Sequence, residues 1–324
     1  MDLSLAAFLG GLSPAQTGVV KLRLALATMI ASAAGNQAGA ALGAKAFPAI
    51  GPAGVVAVRQ FVAAAVLLPV ARPNLRRFTW SQWWPTLLLG LVFATMNLSL
   101  YTAVDRVGLG LAVTLEFLGP LAVALAGSRT GADLACALLA GAGVYVLVLP
   151  GPSSDYAGMA LGLLAAACWA AYILLNRLIG ARLPGLQAPA AATTVSAVLY
   201  VPVALVMALH HRFTLAGVGW AIGAGVLCSV VPYAADLVAL RRIPTRFFGL
   251  LQSVHPVFAA LAGAVILGQV PPAHVWLGIA VVVAVNATAV SLAAARHRSA
   301  PAPHPAPAPE PAPVPAPEPA PVPA

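Results

Sequence analysis

Charge is what this sequence has least of. Of its 324 residues only 8% are charged and 61% are hydrophobic, and the mean hydropathy is +0.93. A soluble domain carries roughly 25% charged residues because its surface must meet water, so no ordinary soluble fold accommodates this composition. Cysteine is scarce as well. Cys136, Cys168 and Cys228 each lie in an apolar stretch and match no CxxC or Cys/His spacing, which leaves them as small core residues rather than disulfides or metal ligands. The six histidines contain no HxxxH pair, so no metal or cofactor is expected. There is no nucleophile–base constellation either, and an enzyme is not expected. The 17 Lys and Arg outnumber 8 Asp and Glu, but they are scattered through short hydrophilic breaks, whereas a nucleic-acid site gathers them on one face. The opening Met1-Asp2 lacks the basic segment of a signal peptide, so the N-terminus is expected to be retained.

What the chain has in their place is long apolar runs. About 20 such residues cross the ~30 Å hydrocarbon core of a bilayer. Ten candidate spans follow, near 24–44, 51–70, 83–103, 108–128, 132–150, 156–176, 187–209, 214–236, 247–267 and 273–293. The breaks between them carry turn residues and charge, such as Arg72-Pro73-Asn74, Gly151-Pro152-Ser153 and Pro271-Pro272. With the N-terminus inside, thirteen Lys and Arg fall in cytoplasmic segments and three (Lys45, Arg106 and Arg212) outside. That bias predicts that both termini are cytoplasmic. Residues 300–324 alternate Pro with Ala, Val and Glu, a composition that buries nothing and reads as a disordered, polyproline-like tail.

The runs also repeat. At an offset of 136, Trp84 aligns with Trp220, Arg106 with Arg242 and Pro120 with Pro256, and Leu125-Ala126-Gly127 aligns with Leu261-Ala262-Gly263. The shared, gap-free register makes these two copies of one unit. Ten spans in two repeats gives five per repeat, and an odd number inserts the second copy upside down. The predicted fold is therefore all-α, with ten transmembrane helices in two inverted five-helix repeats. Its divisions are an N-terminal cytoplasmic segment 1–23, repeats at 24–150 and 156–293, and a Pro/Ala-rich cytoplasmic tail 294–324. Inverted repeats are a route to alternating access, with the binding site near broken helices.

Polar residues inside the spans carry the chemistry. Arg59 and Glu116 are each the ninth residue of a span entering from outside, so they lie at matching depth. Charge there is expensive without a partner or a wet cavity. One reading is a structural ion pair. The other is a central site where Arg59 meets the carboxylate, and Glu116 the ammonium, of a zwitterionic substrate. Pro120 frees the carbonyl of Glu116, Pro256 that of Gln252 and Pro232 that of Cys228, so the three are expected helix breaks. His255 is deep in a span beside Pro256 and is a candidate proton carrier with Glu116, or a neutral hydrogen-bonding wall residue. Asn97 and Tyr101 share one helix face, and Trp169, Tyr172 and Asn176 another. Both stripes are read as cavity lining, or as interfacial anchors. Gly35, Gly39 and Gly43 allow close helix packing, within the chain or in a homodimer. Asp236, near Arg241 and Arg242, reads as a boundary ion pair or a gate, with Arg242 as its partner.

Three segments carry a family resemblance: LGLAVTLEFLGPLAVAL at Leu109–Leu125, CWAAYIL at Cys168–Leu174 and PYAADLVALRRIPTRFFG at Pro232–Gly249. They resemble the drug/metabolite transporter superfamily (EamA-type), and within it the threonine/homoserine exporters of the bacterial inner membrane. The similarity runs from about residue 24 to 293, with EFxGP and PTRxFG its most distinctive parts. It implies proton-linked efflux of small polar amino acids, with Arg59, Asn97 and Glu116 in family positions. The chain departs from the pattern at His255, at Gln269 and at Asp236, each standing where the family has Glu. The expected partners are a small-molecule substrate and membrane lipids. The alternatives are an exporter of drugs or other metabolites, and a non-transporting scaffold presenting its Pro-rich tail.

Overall fold

The computed structural model describes residues 14–126, 131–149, 154–180, 182–183, 185–230 and 253–299. All regular structure in them is helical. The helices are α1 (Pro14–Lys45), α2 (Phe47–Ala71), α3 (Trp80–Val107), α4 (Leu109–Glu116), α5 (Leu118–Ala126), α6 (Gly131–Val148), α7 (Tyr156–Gly180), α8 (Gln187–Leu209), α9 (Leu215–Gly225), α10 (His255–Leu267) and α11 (Ala273–Ser299). A 3₁₀ turn lies at Leu75–Arg77 and a π-helical turn at Val226–Val230. Five helices are long and apolar enough to cross a membrane: α2, α3, α7, α8 and the Ala273–Leu292 part of α11. Pro232, Asp236, Arg242 and the tail 300–324 lie outside the described residues.

Local chemistry sets the ends. Thr79 and Gln82 form a capping box that starts α3, and the Thr214 hydroxyl accepts the Gly217 N–H at 3.1 Å to start α9. Asp155 starts α7 by accepting the Gly158 N–H at 2.9 Å. Its second oxygen meets Arg106 Nε at 2.9 Å, which ties the end of α3 to the start of α7. That hydrogen-bonded guanidinium holds the Asp155 carboxyl below the ordinary carboxylate range. Gly108, at φ 86, turns α3 into α4 in one residue, and Gln269 Oε1 accepts the freed Leu109 N–H at 3.0 Å.

The expected breaks differ in form. The helix stops at Glu116 and restarts at Leu118, as the missing Pro120 donor requires. Pro256, expected inside a span beginning near 247, instead occupies the first turn of α10, which starts at His255. Proline is tolerated there because first-turn N–H groups have no helical acceptor. The first helix starts at Pro14, ten residues before its expected span, so part of the segment drawn as 1–23 is helical.

Packing is pairwise and close. α3 lies on α7 and α8, α2 on α8 and α9, α1 on α9 and α10, α4 on α7 and α10, and α6 on α11. Small residues such as Ala40, Ala44, Ala103, Ala112 and Ala259 form one core where α1, α3, α4 and α10 meet. The glycine stripe on α1 is used within the chain. A Cβ on Gly39 would stand 2.7 Å from Leu227, and one on Gly43 would stand 2.8 Å from the Tyr101 ring. Leucines and valines point outward instead, among them Leu138, Leu205 and Leu209. That arrangement suits a lipid-facing surface.

Candidate functional site

Eight of these elements converge on one cavity of about 290 Å³, at the lower end of the usual range for ligand pockets. α3 supplies an unbroken helical stripe of Phe93, Met96, Asn97, Leu100 and Tyr101, at the spacing of one helix face. α7 supplies Trp169 and Tyr172, α4 supplies Val113 and Glu116, and Phe117 stands at the turn between α4 and α5. α1 contributes Asn36, Gln37 and Ala40, and α2 contributes Arg59, Gln60 and Ala63. Thr193 of α8, Cys228 of the π-helical turn and His255 at the first turn of α10 complete the wall. The packed pair α6 and α11 takes no part.

All seven residues singled out in the sequence for binding or proton transfer border this cavity: Arg59, Asn97, Tyr101, Glu116, Trp169, Tyr172 and His255. Pro120, four residues after Glu116, Pro256, directly after His255, and Asn176 lie outside its lining. The two deep charges share the cavity without pairing. Among the described residues the one ion pair is Arg106 with Asp155, so Arg59 and Glu116 form no direct salt bridge. The Arg59 guanidinium lies over the Tyr101 ring, 4.6 Å from its centroid, a contact that eases burial of the cation. Its Nε and the Tyr101 hydroxyl are buried without hydrogen-bond partners among the described residues.

Aromatic rings make up much of the rest of the lining. Phe117 meets Trp169 edge-on at 4.6 Å and stacks on His255 at 5.5 Å. Phe93 and Tyr172 are 5.4 Å apart. The lining also carries amide side chains. Asn97 Nδ2 donates back to the Phe93 carbonyl at 2.8 Å, and Gln37 Nε2 lies 3.0 Å from His255 Nδ1. Cys228 donates its thiol to the Asn36 carbonyl at 3.2 Å. No group of three or more His, Cys, Asp or Glu that could hold a metal occurs among the described residues.

Sequence reasoning had not picked out Asn36, Gln37, Gln60, Thr193 or Cys228 as site residues. The signal was present, since Asn36-Gln37 and Gln60 are amides inside apolar runs, but a neutral amide stands out less than a charge. The arrangement can hold a small ligand, with a guanidinium, a carboxyl group and several aromatic rings on one cavity.

The model of the EamA-like transporter family matches residues 156–288. The threonine/homoserine exporter RhtA of Salmonella typhimurium (strain SL1344) is 36% identical over 262 residues, covering 79% of this chain and 88% of that protein. RhtA of Escherichia coli (strain K12) is 35% identical over 249 residues, covering 76% and 84%. A solved crystal structure with 22% identity superposes with a TM-score of 0.56 over 83% of this chain and 98% of its own, which is a likeness of fold.

Proposed function

Because the chain belongs to the EamA-like transporter family, a family of transporters and not enzymes, we propose that it exports small polar amino acids of the threonine and homoserine kind across the bacterial inner membrane. The observation that carries this reading is the unpaired Arg59 and Glu116 on one small cavity. A zwitterion supplies both missing partners at once: its carboxylate takes the bidentate guanidinium and its ammonium takes the carboxylate. Neither charge then has to be desolvated without compensation.

We assign the coupled proton to Glu116. A carboxylate that holds either a proton or an ammonium, never both, makes the two bind exclusively, as an exchanger requires. His255 is the poorer carrier, because its Nδ1 is committed to Gln37.

The proposed membrane arrangement is ten spans with both termini cytoplasmic, working by alternating access between inverted halves. The packing supports it. Replacing each first-half span by its second-half equivalent carries α3 on α7 into α9 on α1, α4 on α7 into α10 on α1, and α3 on α8 into α9 on α2. The pairs α2 with α8, α4 with α10, and α6 with α11 map onto themselves. Gly39 and Gly43 are occupied within the chain, so no homodimer is proposed from that stripe.

The aromatic wall of Phe93, Phe117, Trp169 and Tyr172 favours a second reading, export of a lipophilic cation. Arg59 opposes it. Inside-out vesicles holding the full chain decide between them: labelled threonine and homoserine should accumulate and an imposed proton gradient should raise the rate. Accumulation of a lipophilic cation with exclusion of both amino acids would replace the first reading by the second.

A further inference from the structure

The polar groups of the cavity differ in what they still need. Arg59 Nε and the Tyr101 hydroxyl are donors without acceptors, which suits a carboxylate. Glu116 is a carboxyl group with no ion-pair partner among the described residues. The third unfilled group is Gln37 Oε1, buried and without a hydrogen-bond partner, on a side chain only 5% exposed. The other end of that amide is committed, since Nε2 lies 3.0 Å from His255 Nδ1. Nδ1 accepts there, so the proton of the neutral ring sits on Nε2. The ring itself is braced by stacking on Phe117 at 5.5 Å. Gln37 is thus held through one end of its amide, with one acceptor oxygen left over on a residue that borders the cavity.

A buried acceptor with no donor is costly, and of the zwitterion's own groups only the ammonium, with its three N–H donors, competes with a side-chain hydroxyl to fill it. The carboxylate cannot donate, and the ammonium has the stronger, charge-assisted partner in Glu116. A side-chain hydroxyl can donate. We propose that Gln37 reads the side-chain hydroxyl of the substrate and that His255 is the positioning residue that aims it. The cavity then selects amino acids bearing a hydroxyl over apolar isosteres. A methyl in the same place leaves Oε1 unpaired, and sites built to bond a hydroxyl reject analogues that lack it far better than apolar pockets reject an added one. The inference rests on the amino-acid reading above and goes further, to one residue and one functional group.

The test compares threonine with valine, which has a methyl where threonine has its hydroxyl, in inside-out vesicles holding the full chain. The wild type should take up threonine over valine by about tenfold or more, the value of one hydrogen bond lost from a buried acceptor. Gln37→Met keeps the length and loses the amide, so the ratio should fall to within about twofold, mostly through loss of threonine uptake. His255→Phe keeps a ring against Phe117 but releases Gln37, and it should lower the ratio too, which keeps the test open if Gln37→Met does not accumulate. Equal proportional losses of both amino acids in Gln37→Met would overturn the proposal, because Gln37 would then touch the part they share. An unchanged ratio in both variants would overturn it as well. A wild type that carries both equally defeats this inference and leaves amino-acid export standing. A wild type that carries neither defeats the amino-acid reading and this inference with it.

Discussion

Two opposite charges on one cavity wall that make no ion pair are an unusual pair of residues to find at bilayer depth, where either alone costs a few kcal/mol. Arg59 is eased by the Tyr101 ring, and Tyr101 reaches it because residue 43 is glycine. Glu116 has no such support. The cavity reading and the structural-pair reading diverge in a double substitution. Arg59→Met and Glu116→Gln should each lower threonine transport on the order of ten- to hundredfold, the worth of a hydrogen bond to a charged group, with protein still present in the membrane. The pair combined should be no better than either alone. If the double variant regained transport or thermal stability lost in the singles, the two charges would be serving each other rather than a ligand. Uptake rates and unfolding temperatures of the four proteins give the answer.

At the scale of elements, the interrupted α4–α5 run does two things. It ends α4 directly after Glu116, and it lets α5 approach α7 so closely that a Cβ on Gly119 would collide with the Ala166 carbonyl oxygen. Gly119→Ala should therefore cost about 1–3 kcal/mol of stability by overpacking and also impair transport. Gly141→Ala in α6, where a Cβ meets nothing within 4 Å, should gain about 0.5–1 kcal/mol. Thermal unfolding in detergent separates the two, and a neutral Gly119→Ala would mean the break is looser than drawn. The break after Glu116 was legible because proline removes a donor wherever it stands. The form of its partner was not. Pro256 opens α10 instead of kinking it, and a proline inside an apolar run fits both outcomes. Likewise Arg59, Glu116 and His255 stood out by their cost, whereas Gln37 meets His255 across 218 positions, a contact that no local pattern announces.

For the whole molecule, the repeat at an offset of 136 makes a claim about sides. Trp84 and Trp220 are equivalent by that offset, and each carries a cation over its ring: Arg182 at 5.8 Å on Trp84 and Lys45 at 5.6 Å on Trp220. Lys45 moved by the same offset falls one residue short of Arg182. Each half thus lends a cation to the other half's tryptophan, the exchange expected of a two-fold axis lying in the membrane plane. Such an axis puts the two contacts on opposite faces. The loop charge bias assigns the Arg182 contact to the cytoplasm and the Lys45 contact to the outside. Both cations are exposed, so each can be replaced by cysteine and probed with a membrane-impermeant maleimide. Cys136 and Cys168 are buried, and Cys228, which borders the cavity, is replaced by serine for the experiment. Lys45→Cys should label in intact cells, and Arg182→Cys only in inside-out vesicles. Labelling of both from one side would end the inverted-repeat arrangement and the alternating access built on it. Labelling with the sides exchanged would keep the two-fold and reverse the orientation, placing both termini outside.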